Sequence, residues 1–374
     1  MIVAHWLGLV PLILAVAAIG YTLHATLAVR RFARAPRPAP ALPEPVTLLK
    51  PLHGAEPRLA ENLRTFLAQD WPAPVQMVAG TNRADDPALA VARALAGDVS
   101  VRTDAPALGG NAKIANLANL LPAARHDLLV LSDSDMAVPR DYLSRVVAAL
   151  AQPDVGAVTC LYHGRGDAGA WSRFAAAAIN WQFTPGVAMS LALGVGHPCM
   201  GSTVALRRDT LRRIGGFAAF ADQLADDYAL GAAIRELGLN VVPVPGLLVA
   251  HGCTETSAAA VWRHELRWAR TLRAVDGLAH LGSVVTYPVP LALMACVLHP
   301  LVGGLALTTA LVARLLLAVS FDHAAGERAA PRWWLPARDL FSFAVFLASF
   351  VARSVDWRGH RLRMVGNGRV TADR

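Results

Sequence analysis

The stretch Leu128 to Met136, LLVLSDSDM, is an apolar run that stops at two aspartates separated by one residue. At a strand's carboxyl end, side chains two positions apart leave the backbone on the same side. Asp133 and Asp135 can therefore converge on one hard divalent cation, Mg or Mn. A cation held by two carboxylates keeps open coordination positions, and these suit the diphosphate of a nucleotide-sugar. A lone pair of this kind also occurs as a solvated acidic turn, so its surroundings decide. Three further groups carry side chains fit for acid–base or phosphate chemistry: Asp86 in GTNRADDPAL, Asp227 in QLADDYALG, and Arg267 with Trp268 in RHELRWAR.

These residues need a scaffold. Between Ala41 and Ala279 short β-rich runs alternate with helical ones, the signature of an α/β domain with a largely parallel sheet. Val46 to Leu49, Val75 to Ala79, Val99 to Arg102 and Leu128 to Ser132 read as its first four strands, with helices at Leu59 to Leu67 and Ile114 to Leu121. After the paired aspartates the order becomes mixed, and Gly156 to Tyr162, Gly201 to Arg207 and Leu247 to His251 read as strands. Trp171 to Leu193 is Ala-rich, almost uncharged and interrupted by Pro185 and Gly186. It reads either as a core helix or as a surface that dips into lipid headgroups.

The chain of 374 residues is 55% hydrophobic and 17% charged, richer in apolar residues than an ordinary soluble enzyme. Ile2 to Val29 contains no Asp, Glu, Lys or Arg and exceeds the roughly 20 residues that cross a bilayer. Arg30, Arg31, Arg34 and Arg37 follow it, which predicts an uncleaved anchor over 1–34 with the following domain cytoplasmic. The Pro-rich segment 35–45 reads as a stiff linker, 46–280 as the catalytic domain, and 281–374 as a membrane region with a basic tail. Within that region Val284 to Leu298 reads as interfacial or re-entrant, while Leu301 to Ser320 and Leu340 to Val355 cross. The basic tail (Arg353, Arg358, Arg361, Arg363, Arg369) is then cytoplasmic too. The net charge of +8 sits beside apolar segments, which points to anionic lipid and away from nucleic acid. Cys160, Cys199, Cys253 and Cys296 show no metal-ligand spacing and read as reduced core residues.

Three spaced aspartates followed by an arginine–tryptophan pair resemble the signature of the ceramide glucosyltransferase family, membrane glycosyltransferases with a nucleotide-binding GT-A fold. The similarity extends to VTLLKPLHGAEPRLAENLRTFLAQDWP, NAKIANL and GSTVALRRDTLRRIGGF. The resemblance implies a GT-A nucleotide-diphospho-sugar transferase fold, with an N-terminal transmembrane anchor and C-terminal membrane helices. It implies Asp86 near the uracil and ribose, Asp133 with Asp135 at the metal, and Asp227 as general base, tuned by its neighbour Asp226. It further implies Arg267 as a cation for the departing UDP phosphates, Trp268 as an aromatic wall at the acceptor, and Lys50 and Lys113 near the nucleotide. His264 stands where the family has Gln or Arg, so the polar contact of that position is altered. LADDYALG and HELRWAR are also similar to bacterial glycosyltransferases associated with hopanoid biosynthesis, and the Ala/Arg/Pro-rich composition looks bacterial, which implies an inner-membrane location. The expected activity is inverting transfer from a UDP-sugar to a membrane lipid, ceramide or hopanoid. The competing readings are a processive polysaccharide synthase, for which few apolar segments are available, and a non-enzymatic lipid-binding protein. His251 and His197 read more readily as core histidines than as metal ligands.

Overall fold

The structure, a computed structural model, describes residues 2–104, 106, 108–351, 354–357, 360–365 and 369–372, with side chains between 9 and 351. Helix α1 (Ile2–Ala33) leads through the Pro-rich linker into an α/β domain. There follow β1 (Val46–Pro51), α2 (Leu59–Leu67), β2 (Val75–Gly80), α3 (Ala88–Arg93), β3 (Val99–Arg102), α4 (Ala112–Leu120) and β4 (Leu128–Leu131). Next come β5 (Met136–Ala137), α5 (Tyr142–Leu150), β6 (Val155–Gly166), α6 (Ala170–Ala178), α7 (Thr184–Ala192) and β7 (Val204–Arg207). The domain closes with α8 (Arg208–Arg213), α9 (Asp226–Glu236), β8 (Asn240–Cys253) and α10 (Ala258–Val275).

Eight strands form one sheet in the order β3-β2-β1-β4-β7-β6-β8-β5. The first four are parallel, β7 is antiparallel to both β4 and β6, and β8 is parallel to β6. Side-chain alternation splits the core into two layers. Leu48, Met77 and Val130 meet Leu63 and Phe66 of α2 on one face, and Leu49, Val78 and Leu129 meet Ile114 of α4 and Ile234 of α9 on the other. Because both faces are covered, β4 is buried throughout, which is why it reads as the unbroken apolar run LLVL. Strand order reverses at β1, whose neighbours are β2 and β4. The crevice beyond the carboxyl ends of β1 and β4 is where open α/β sheets bind ligands.

Three expected elements shift. The strand read from Gly201 begins at Val204, so Gly201 lies in the preceding turn. Helix α4 starts two residues early because Asn111 caps it, accepting from Lys113 N at 2.9 Å and Ile114 N at 3.2 Å. The stretch Trp171 to Leu193 is α6 and α7 joined by a π-helical turn, Ile179–Phe183, in which Trp181 and Asn180 are fully buried. The Asn180 amide accepts from Gly164 N at 2.6 Å and donates to Gly164 O at 3.1 Å, fastening the turn to β6.

Beyond the domain lie α11 (Gly277–Gly282), α12 (Pro288–Leu298), α13 (Pro300–Ala325) and α14 (Leu335–Val351). Among the described residues three helices are long and apolar enough to cross a membrane: Leu9–Ala33, Pro300–Ala325 and Arg332–Val351. A fourth candidate, Gly277–Thr286 with Pro288–Leu298, is bent by 67°, the geometry of a broken span or of a re-entrant loop. Ala15, Ala18 and Ile19 of α1 pack on Val289, Leu291 and Ala310 of α12 and α13, so the first apolar helix and the two that follow the bend form one layer. Farther along α1, Ala25, Ala28 and Val29 pack with Leu161 of β6 and Ala188 of α7, joining that layer to the α/β domain. The side chains of the basic tail lie outside the described residues; its backbone forms the antiparallel strands β9 (Ser354–Trp357), β10 (His360–Val365) and β11 (Arg369–Ala372).

Candidate active site

A cavity of about 620 Å³ opens beyond the carboxyl ends of β1 and β4. Lys113, Asp133, Asp135, Asp227, Arg267 and Trp268 all line it, although the first and last are more than 150 positions apart in the chain.

At its floor the groups meet around one glycine. A Cβ placed on Gly201 would lie 2.6 Å from Lys113 Nζ, 3.2 Å from Asp133 Oδ2 and 3.7 Å from Asp227 Oδ2. Gly201 N donates to Asp227 Oδ2 at 3.0 Å, and Asp227 Oδ1 accepts from Tyr228 N at 2.8 Å. Asp226 and Asp227 occupy the first turn of α9, where the helix dipole favours negative charge. Lys113 Nζ bridges the acids, 2.6 Å from Asp133 Oδ1 and 3.9 Å from Asp226 Oδ2. Asn111 ties the helix starts together, its amide donating to Gln223 O at 2.8 Å and to Asp226 Oδ1 at 3.3 Å.

The electrostatics follow from this crowding. Burial, together with Asp227 and Asp133, pushes the Asp226 carboxyl up to about 6 against the pull of Lys113. Burial and the neighbouring Asp135 also hold Asp133 above the ordinary carboxylate value, again against Lys113. Lys113 is held above the usual lysine value: burial works against its charge, and Asp133 and Asp226 outweigh that.

Asp135 faces differently. Strand β5, directly after it, pairs Met136 with His251 of β8, and this register sets the His251 ring beside the carboxylate, with Nδ1 3.6 Å from Asp135 Oδ1. Sequence alone favoured a core role for His251; the long-range pairing of β5 with β8 puts it in the cavity wall, against Tyr162 and Trp268. Burial would lower its pKa, but Asp135 and Asp133 raise it to about 9. Asp135 stays below the ordinary carboxylate value, because His251 and the two lysines outweigh its burial. His197 also lines the cavity.

Two residues expected near the nucleotide lie outside this lining. Lys50 does not reach the cavity: it is fully buried, with Nζ 3.1 Å from the Phe66 ring centroid and donating at 3.0 Å to both Ser132 Oγ and Asp133 O. Burial holds its amine well below the usual lysine value, and its work is to brace the loop carrying Asp133. Asp86 lies outside the lining as well. Its carboxylate accepts from Gly54 N at 3.0 and 3.1 Å and from Ala88 N at 2.9 Å, so it pins the loop after β1 to the start of α3. His264 is turned toward Glu255, whose Oε1 meets its Nδ1, and packs edge-on against Trp268 with centroids 4.5 Å apart.

The donor set bears on a metal. Asp135 Oδ1 is buried without a hydrogen-bond partner, its charged neighbour being His251 Nδ1 at 3.6 Å, and a hard oxygen so placed suits a divalent cation. Among the described residues no group of three or more His, Cys, Asp or Glu side chains gathers tightly enough to hold an ion alone. Asp133 and Asp135 thus fit a cation that completes its coordination with substrate oxygens and water.

Gly201 is the functional position that sequence reasoning passed over. A glycine within a strand-like run marks a close backbone approach, and that signal was present in MGSTVAL.

Residues 10–370 match the family model described as Glycosyl transferase family 21. Ceramide glucosyltransferase 1 of Caenorhabditis elegans is 25% identical over 210 residues, 54% of this chain and 44% of that protein. The ceramide glucosyltransferase of Komagataella phaffii is 32% identical over 123 residues, 30% of this chain and 24% of that protein. The matched region therefore spans less than half the length of these curated relatives. Among solved structures, the mannosyltransferase PcManGT from Pyrobaculum calidifontis, in complex with GDP-Man and Mn2+, superposes with a TM-score of 0.54 at 21% identity. The match covers 92% of this chain and 99% of that one. The GT-A architecture expected from the motifs is thereby established.

Proposed function

Because this chain belongs to glycosyl transferase family 21, we propose that it is a membrane glycosyltransferase. It moves a hexose or N-acetylhexosamine from a UDP-sugar to the hydroxyl of a membrane lipid, with inversion at the anomeric carbon. The observation that carries this reading is the convergence of Lys113, Asp133 and Asp227 on the Gly201 backbone, in a cavity also walled by Arg267 and Trp268.

Glycosyl transfer asks for a base on one face of the sugar and positive charge at the leaving diphosphate on the other. Asp227 takes the proton of the incoming hydroxyl while that oxygen bonds to the anomeric carbon. The bond from carbon to the phosphate oxygen breaks, and its electron pair leaves with UDP. Two backbone amides fix the Asp227 carboxylate in place, so little reorganisation is needed at the moment of attack. Lys113 and Arg267 supply cationic groups for the phosphates, and Trp268 gives the acceptor a flat apolar wall. When bound at Asp133 and Asp135, a Mg or Mn ion supplies further charge neutralisation to the diphosphate. With base and leaving group on opposite faces, a single displacement turns an α-linked donor into a β-linked product.

The names of the two curated relatives support a ceramide-type acceptor. Arg30, Arg31, Arg34 and Arg37 after α1 support a cytoplasmic catalytic face. The test is turnover of radiolabelled UDP-sugars by the purified protein in lipid nanodiscs containing ceramide or a polyol hopanoid, with Asp227→Asn as the control. Wild type should yield labelled lipid. The variant should lose roughly 10²–10⁴-fold in rate while binding UDP as before. Absence of labelled lipid with every UDP-sugar rejects the activity, and normal turnover by Asp227→Asn rejects the base.

A further inference from the structure

A second cavity, of about 340 Å³, lies between α10, the π-helical turn and the bent segment before α13. It shares Phe183, Val187, His251, His264, Trp268 and Leu272 with the catalytic cavity, so one molecule can extend into both. Much of the remaining wall is apolar, including Ile179, Val261, Val345 and Phe346, yet two carboxylates border it, Glu255 and Glu265.

The two acids are arranged alike. Glu255 gives Oε1 to His264, and Glu265 gives Oε2 to Arg338 Nη2 at 2.5 Å. Glu255 Oε2 and Glu265 Oε1 remain buried without any hydrogen-bond partner. The Glu255 side chain is only 8% exposed and that of Glu265 only 16%. A carboxylate oxygen only accepts, and a buried acceptor left unmatched is costly, so this chamber suits a guest that brings donors.

We propose that the chamber holds the head of the acceptor lipid, and that Glu255 and Glu265 accept hydrogen bonds from N–H or O–H groups flanking the hydroxyl that is glycosylated. This rests on the function proposed above and narrows its substrate class. The acceptor is a lipid with two or more donors beside the reacting one, such as an amide N–H and neighbouring hydroxyls. A single-hydroxyl lipid leaves both oxygens stranded, and sites built to hydrogen-bond a group reject analogues lacking it.

The experiment compares kcat/KM of the full-length protein in nanodiscs for a ceramide, a polyol hopanoid, a diacylglycerol and a sterol, with UDP-glucose and UDP-N-acetylglucosamine as donors. Wild type should favour the ceramide or the polyol over both single-hydroxyl lipids by tenfold or more, on the order of one charged hydrogen bond. Glu255→Gln should narrow that preference about tenfold through the acceptor KM, on the same reasoning, while the Kd of UDP holds. Glu265→Gln, the second variant, should act in the same direction. Equal kcat/KM across all the lipids overturns the inference and leaves the proposed function standing. A wild-type preference that neither variant alters overturns the assignment to these two carboxylates. Failure to glycosylate any lipid, with UDP still bound, removes the proposed function and this inference with it.

Discussion

Gly201 is a glycine of the catalytic cavity wall whose backbone is crowded by the groups that would do the chemistry. Gly201→Ala sets a methyl 2.6 Å from the Lys113 ammonium and 3.2 Å from Asp133 Oδ2, forcing apart groups that must act together. A displacement near 1 Å costs about 10²-fold in rate, so we expect that loss in transfer kinetics with an almost unchanged melting temperature. Asp226 carries a different consequence. Its folded-state pKa, near 6, lies above the ordinary value of 3.8, so its ionisation opposes folding. The cost is absent below about pH 4, grows between 3.8 and 6 and is complete above 6. Asp226→Asn should therefore raise the melting temperature of the donor-free protein at pH 8 and leave it unchanged near pH 4, and a uniform shift across both would contradict the assignment. The acids of this site were legible because Asp133 and Asp135 close an unbroken apolar run and Asp226 and Asp227 open a helical pattern, with RW following downstream. Lys50 was not: it shares strand parity with Leu48, so it points into the layer that holds Phe66, and a lone sequence does not say which helix covers that face. His251 escaped for a related reason, since only the pairing with Met136 turns it toward Asp135.

At the scale of elements, the first four strands were readable because each is a short apolar run covered on both faces. Strand β8 was read as far shorter than it is. Pro243, Pro245 and Gly246 break its pattern, and the strand absorbs them with a register shift against β6 between Thr159 and Leu161. The π-helical turn could not be read at all, because tertiary partners hold it. Arg314 of α13 donates to Trp181 O and pairs with Asp339 of α14 at 2.6 and 2.8 Å, both side chains almost fully buried. Removing one partner of a buried pair typically costs about 3–5 kcal/mol, whereas apolar replacement of both is close to neutral. Arg314→Met or Asp339→Leu alone should lower thermal stability in detergent sharply, and the double substitution should recover most of the loss. Additive effects would show that the pair is not the link between the two helices.

For the whole molecule, the membrane layer and the α/β domain are one packing unit. Helix α1 meets α12 and α13 near its middle and Leu161, Ala188 and Phe321 farther along. Its sequence reads only as an uncleaved anchor, because hydropathy reports length and polarity but not partners. Deletion of residues 2–33 should therefore fail to release a soluble, folded catalytic domain; a monodisperse, cooperatively melting product would refute this. The same contacts set a timetable for biosynthesis. Everything from Ala33 to Pro300 must be translated before α13 exists, which at roughly 5–20 residues per second takes on the order of tens of seconds. Throughout that interval α1 waits in the bilayer without its mate, so the ribosome has produced the whole nucleotide-sugar fold before the helix that locks its first segment in place can arrive.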